Sequence, residues 1–351
     1  MTLRAEVPTA TVEPLRAPGL ARWWFAAGLL CVAVVALAGV AVGPVPLAPL
    51  DVARELVGLP SGLSATEATI VWQFRLPRVV LALLVGGLLA TAGGAYQGTF
   101  RNALADPYLL GVAAGAGLGA TFAIVNAGAG QTSTVVTLAA FAGAMAAMGI
   151  TWMLGAAGDR TRGPASLVLA GVAVASFFTA VQTFVQQRDQ ENIRQVYSWI
   201  LGRLSSAGWD DVLLLLPYAV VSTLVLLLSG RLLDVAGVGD DEARTLGIDP
   251  RRLRVVVVVA ASMGTAAAVA TSGLIAFVGI IVPHTVRLLA GSSYRSILPL
   301  SLLFGGAFLA ATDLLARTVL APAELPIGVV TAFFGAPFFV LVLRTSRAGA
   351  V

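Results

Sequence analysis

Long apolar runs alternate with short polar breaks along the chain, and that alternation predicts its elements. The runs cover residues 23–42, 79–97, 108–127, 135–155, 166–186, 212–229, 254–272, 274–290, 298–316 and 326–343. Each approaches the roughly 20 residues with which a helix crosses the hydrocarbon of a bilayer. Inside a bilayer no water satisfies backbone N–H and C=O groups, so runs of this kind must be helical. The expected fold class is therefore all-α, a polytopic membrane protein of about ten transmembrane helices. The first run is too long for the apolar core of a signal peptide, and Gly43-Pro44 after it makes a poor cleavage site, so it reads as an uncleaved span. Only Ser272 and Gly273 separate the seventh and eighth runs.

The polar breaks set orientation. With the N-terminus in the cytoplasm, inner loops carry Arg4, Arg16, Arg22, Arg101, Arg160, Arg162, Arg231, Arg244, Arg251, Arg252, Arg254, Arg287, Arg295, Arg344 and Arg347. Outer loops carry Arg54, Arg75, Arg78, Arg188, Arg194, Arg203 and Arg317. The excess inside obeys the positive-inside rule and puts both termini in the cytoplasm. The plan is a tail at 1–22, a ten-span domain at 23–345 with a polar loop at about 231–254, and a tail at 346–351. Arg78 is followed 29 residues later by Pro107, and Arg254 likewise by Pro283. That spacing suggests that spans two to five and seven to ten form an inverted repeat.

Composition narrows the function. Of 351 residues, 58% are hydrophobic and 11% charged, against about 25% charged in soluble domains. All 22 basic residues are arginine, so there is no lysine for a P-loop or a Schiff base. One cysteine, Cys31, and one histidine, His284, cannot build a zinc site. The net charge of +4 comes from scattered arginines without a basic block, which argues against nucleic acid. Intramembrane charges usually mark ion paths, yet here Asp313 lies near an outer span end and Asp106 and Arg287 near inner ends. That scarcity argues against an ion-coupled secondary transporter and an intramembrane enzyme. The 38 glycines suit close helix packing.

Four stretches carry more than packing. Arg75-Leu76-Pro77-Arg78 opens the second span, which ends near Gln97 and leads to Arg101-Asn102-Ala103-Leu104-Ala105-Asp106-Pro107. In the polar loop, Gly239-Asp240-Asp241-Glu242-Ala243-Arg244-Thr245-Leu246-Gly247 predicts a short helix with Asp240 as N-cap and Gly247 as its stop. Ala243 and Leu246 would share one face, for a groove on a partner protein or for lipid headgroups. The third stretch runs from Ser272-Gly273 to Pro283-His284 and Arg287, with the histidine expected to be packed. The fourth joins Asp313 and Arg317 to Glu324-Leu325-Pro326 and Gly335-Ala336-Pro337.

From about residue 70 to 345, in order and spacing, these stretches resemble the permease subunits of bacterial ABC importers for iron-siderophores and cobalamin. The resemblance implies a type II ABC importer permease in a bacterial cell membrane. It implies a second permease subunit, identical or related, two cytoplasmic ATPases that bind ATP and Mg, and an extracytoplasmic binding protein. No cofactor or metal would be bound by this chain. Gly239, Asp240, Glu242, Ala243, Arg244, Leu246 and Gly247 match the coupling helix that seats in the ATPase. Arg75, Arg78 and Arg317 match arginines that receive acidic residues of the binding protein, which bidentate guanidinium forks suit. Asn102 and Leu104 match a cytoplasmic gate, and Gln182 and Gln186 become candidates for the pathway. The chain departs from the pattern at Ala103, where proline is common, and at Gly163-Pro164-Ala165, which replaces a hydroxyl pair of the cobalamin gate. The implied cargo is a ferric siderophore, with cobalamin or haem as alternatives.

Overall fold

The computed structural model describes residues 22–127, 133–157 and 164–348, and their regular structure is helical throughout. α1 (Arg22–Ala41) is followed by short α2 (Pro49–Leu56) and α3 (Ala65–Thr69), and a π-helical turn, Ile70–Arg75, runs into α4 (Leu76–Phe100). A 3-10 turn, Pro107–Leu110, precedes α5 (Val112–Ala127), then come α6 (Ser133–Ala157), α7 (Pro164–Arg188), α8 (Ile193–Ile200) and α9 (Trp209–Ala236). α10 (Asp240–Thr245), α11 (Pro250–Ser272), α12 (Val278–Ala290), α13 (Tyr294–Thr318) and α14 (Ile327–Ala348) complete the chain. The helix starts follow local chemistry. Ser64 and Glu67 form a capping box at α3. Asp249 accepts from Arg251 N and Arg252 N, and Pro250 fills the first position of α11, where a missing N–H costs nothing.

Each of the ten expected spans lies wholly or mostly on a helix. Among the described residues, seven helical stretches are long and apolar enough to cross a membrane, and the regions 112–126, 278–290 and 327–340 are shorter apolar helices. The expected span 274–290 needs correcting. Gly273 (φ 75°) and Phe277 (φ 70°) break the helix, so α12 starts only at Val278 and has 13 residues, about 20 Å of rise. The two tails fall mostly outside the described residues, as do Arg160, Arg162 and Gly163.

α4 and α11 are the most enclosed helices and lie against each other, tied by Tyr96 Oη and Ser262 Oγ at 2.5 Å. They run antiparallel, because Asp240 touches Arg101 after the end of α4 and Arg254 near the start of α11. Packing around this pair is duplicated. α4 packs on α13 as α11 packs on α6; α5 on α6 as α12 on α13; α4 on α12 as α11 on α5; and α7 on α5 and α6 as α14 on α12 and α13. That is the arrangement of the expected inverted repeat. Arg101 and Phe277, among the described residues the non-glycine positions with positive φ, stand 23 residues after Arg78 and Arg254. The proline pair fits less well. Pro107 opens a 3-10 turn, whereas Pro283 lies inside α12.

Missing side chains make the closest crossings. A Cβ on Gly93 of α4 would stand 1.9 Å from Gly279 O of α12. On Gly115 of α5 it would stand 2.3 Å from Gly143 O of α6. Small residues at crossings let helix backbones approach and gain dispersion contacts where lipid offers no hydrophobic drive.

Candidate functional site

Two polar constellations stand at opposite ends of α4. At its start, the last carbonyls of α1 lack intrahelical donors, and arginines supply them. Arg75 Nη1 donates to Val40 O and Ala41 O, both at 2.9 Å, and its Nη2 to Val45 O at 2.5 Å. Arg317 Nη2 donates to Gly39 O at 2.6 Å, and its Nε lies 3.8 Å from Asp313 Oδ2. Arg78 meets two carboxylates. Its Nε and Nη2 reach Asp313 at 2.8–3.1 Å, and its Nη1 and Nη2 each reach Glu324 at 2.9 Å.

The three arginines expected to receive a partner's acids therefore converge on one place. Arg75, Arg78 and Arg317 are 6%, 9% and 6% exposed and engaged by their own chain. A guanidinium withdrawn from water must be paired or hydrogen-bonded to persist, and here carbonyls and acids do that. The cluster lines an open cavity of about 520 Å³ with Gln73, Ser205 and Glu324. Hydrogen bonds from Arg78 hold the Glu324 carboxyl below its ordinary range. The roles of Asp313 and Glu324 were not legible, because Arg78 and its acids lie more than 230 residues apart. The one local signal is the Asp313–Arg317 spacing of four.

At the other end of α4, the sequence Asp-Asp-Glu-Ala-Arg-Thr forms the six-residue α10. Gly239 is its N-cap, in extended backbone, and Asp240 is the first helical residue. The expected capping by Asp240 is thus corrected. Its carboxylate instead bonds Arg101 and lies 3.4 Å from Arg254 Nη2. Partial burial works to raise the Asp240 pKa, but Arg254 and Arg101 outweigh it and hold the group low. Arg101 also donates to Ala236 O at 2.7 Å, closing the end of α9. Gly247, at φ 81°, ends the helix as expected.

The shared face of Ala243 and Leu246 is also corrected. Ala243 is fully buried, its carbonyl accepting from Ile248 N, while Leu246 is 67% exposed. Residues three apart lie only about 60° from each other around a helix, but Leu246 is the C-cap, past the last residue of α10, and the packing of α9 and α11 on α10 covers Ala243 and leaves Leu246 open. Leu246 and Val238 (74% exposed), on either side of α10, are its exposed apolar residues.

The remaining candidates do not gather into one site. Asn102 is exposed, and its Oδ1 accepts from Leu104 N at 3.0 Å, as in an ordinary Asx turn. Leu104 is half-buried. Pro164 and Ala165 open α7. Gln182, expected along a pathway, packs inside the subunit. It is buried over Gly117 of α5 and donates to Thr121 Oγ1 at 3.1 Å. Gln186 is half-buried one turn on. His284 is half-buried, edge-to-face with Phe338 at 6.1 Å.

Residues 30–345 match the profile of the FecCD transport family. Over 287 residues the chain is 42% identical to the cobalamin import system permease protein BtuC of Halobacterium salinarum, covering 81% of this chain and 75% of that one. It is 41% identical over 286 residues to the uncharacterized ABC transporter permease protein YvrB of Bacillus subtilis, covering 80% of each. It is 37% identical over 282 residues to the Fe(3+)-citrate import system permease protein YfmD of Bacillus subtilis, covering 80% and 83%. Among solved structures, an inward-facing metal-chelate type ABC transporter superposes with a TM-score of 0.82 at 26% identity, covering 92% of this chain and 99% of that one.

Proposed function

The chain belongs to the FecCD transport family, and from that premise we propose that it carries a ferric siderophore across a bacterial cell membrane. It is a multi-pass membrane protein and the permease component of an ABC importer, which works with ATPase and binding-protein partners. The reading is carried by the match over residues 30–345. The cargo follows from relatives such as YfmD, named for Fe(3+)-citrate, and from a metal-chelate structural neighbour. Cobalamin is the second reading, favoured by the 42% identity to BtuC; the sequence Gly163-Pro164-Ala165, in place of a hydroxyl pair, leans against it.

In this reading two permease subunits form the pathway between them. The exposed tip of α10, with Leu246 foremost, seats in a groove of a separate ATPase that binds ATP and Mg. The rim of Arg75, Arg78 and Arg317 faces outward and receives acidic residues of the binding protein, and both termini lie in the cytoplasm. The absence of lysine supports placing ATP hydrolysis on the partner. α10 converts closure of the ATPase into movement of α4 and α11, because Asp240 touches arginines at an end of each.

The test is reconstitution of the permease, its ATPase and its binding protein in liposomes. Uptake of radiolabelled ferric chelate should require ATP and resist competition by cobalamin. Retention of cobalamin by the binding protein would replace the cargo. Uptake driven by a proton or sodium gradient without ATP would replace the mechanism.

A further inference from the structure

Two carboxylates of different character share the fork of Arg78. Asp313 is 2% exposed and belongs to α13, so its loss would strand a buried guanidinium. Glu324 lies in the segment 319–326 between α13 and α14, with its side chain 38% exposed. Between them they take up Nε, Nη1 and Nη2. A carboxylate arriving from outside finds both two-donor edges of Arg78 taken while Glu324 is bound, with only one Nη1 N–H left over.

The cluster nevertheless attracts anions. Arg75 bonds only carbonyls and Arg317 chiefly one, so three guanidinium charges face two carboxylates, Asp313 and Glu324. The imbalance borders the open cavity at Glu324. Asp313 is enclosed on a helix, whereas Glu324 can turn toward water. Leu325 N remains tied to Ala316 O at 2.9 Å, so the loop keeps one anchor when Glu324 leaves.

We propose that Glu324 is an exchangeable latch: it holds the place on Arg78 that a carboxylate of the docking partner takes, and its displacement loosens the segment leading into α14. The proposal rests on the reading of this rim as the docking surface for the binding protein. Exchange of one carboxylate for another on the same fork leaves the desolvation of Arg78 nearly unchanged. Glu324 therefore acts as an internal competitor that weakens docking and makes it reversible, and it shields Arg78 from unrelated anions.

The test measures the dissociation constant of the cognate binding protein for the assembled importer in nanodiscs. Glu324→Gln, nearly isosteric and without charge, should bind about fivefold tighter, the worth of one partly exposed ion pair. Glu324→Ala should shift in the same direction. An unchanged or weaker affinity in both variants overturns the latch. Wild-type docking should weaken between 0.1 and 0.5 M salt; docking indifferent to salt overturns the surface reading and the latch with it. Salt-sensitive docking with no tightening in the variants sinks the latch alone.

Discussion

The carboxylate of Asp240, the first residue of α10, is held by the guanidinium of Arg101, the left-handed residue that ends α4. A non-glycine residue at positive φ costs of order 1 kcal/mol, and here it aims a charged side chain across to α9 and α10. The pair is part-exposed, so its contribution to stability is below about 1 kcal/mol. In the proposed coupling its role is mechanical, since Arg254 on α11 touches the same carboxylate. Asp240→Asn is expected to leave assembly intact and to lower binding-protein-stimulated ATP hydrolysis roughly five- to tenfold. Asp240→Glu should recover part of it. Stimulated hydrolysis in Asp240→Asn equal to wild type would show that the pair transmits nothing.

Leu246 and Ala243 should separate in their effects although they lie three residues apart. Leu246 is exposed at the tip, so Leu246→Asp is expected to weaken copurification of the ATPase and to stop uptake, with no change in thermal stability. Ala243 is fully buried, so Ala243→Arg forces an unpaired charge among packed atoms at a cost of roughly 3 kcal/mol or more. That variant is expected to lose yield and melting temperature before any question of docking arises. Equal thermal stability of the two variants would contradict this assignment.

The apolar runs were legible because a bilayer leaves helix as their main solution, and each of the ten lies wholly or mostly on a helix. The break at Gly273 to Phe277 was not legible as a break. Leu274, Ile275, Ala276 and Phe277 are apolar, and their backbone is satisfied by distant groups: Tyr108 Oη takes Ile275 N at 3.1 Å and gives to Ile275 O at 2.8 Å. At the two polar ends the sequence singled out residues that the fold gathers, but not their partners. Arg78 with Glu324, and Arg101 with Asp240, are joined by folding across more than a hundred residues. Helical spacing placed Ala243 beside Leu246, but neighbouring α9 and α11 decide which of them is covered.

The crossing of α4 and α12 admits no side chain at Gly93. A Cβ there would stand 1.9 Å from Gly279 O and 2.5 Å from its carbonyl carbon, both backbone atoms that cannot rotate aside. Gly93→Ala is expected to destabilise the protein by about 1–3 kcal/mol, read as a lower melting temperature in detergent. Gly149 in α6 has nothing within 4 Å of the same position. Gly149→Ala should therefore be neutral or gain up to about 1 kcal/mol from helix propensity. A similar drop in both would mean that packing against α12 is not the cause.

Asp106, between α4 and α5, accepts from Tyr108 N at 2.7 Å and caps the 3-10 turn that starts at Pro107. Burial pushes its carboxyl from an ordinary value near 4 up to about 6, against the opposing effect of the Tyr108 bond. A group whose folded pKa is raised binds its proton more tightly in the native state. The resulting stabilisation is complete below about pH 4 and is lost as pH rises through about 6. Asparagine presents the same acceptor to Tyr108 N and carries no charge at any pH. Asp106→Asn should therefore match wild type near pH 4 and exceed it above pH 7, by up to about 2 kcal/mol. Melting temperatures of the two proteins in one detergent, measured from pH 4 to 8, isolate this group because every other titration is common to both. A constant offset across that range would mean that Asp106 is ionised in the folded protein throughout and that its capping bond outweighs its burial.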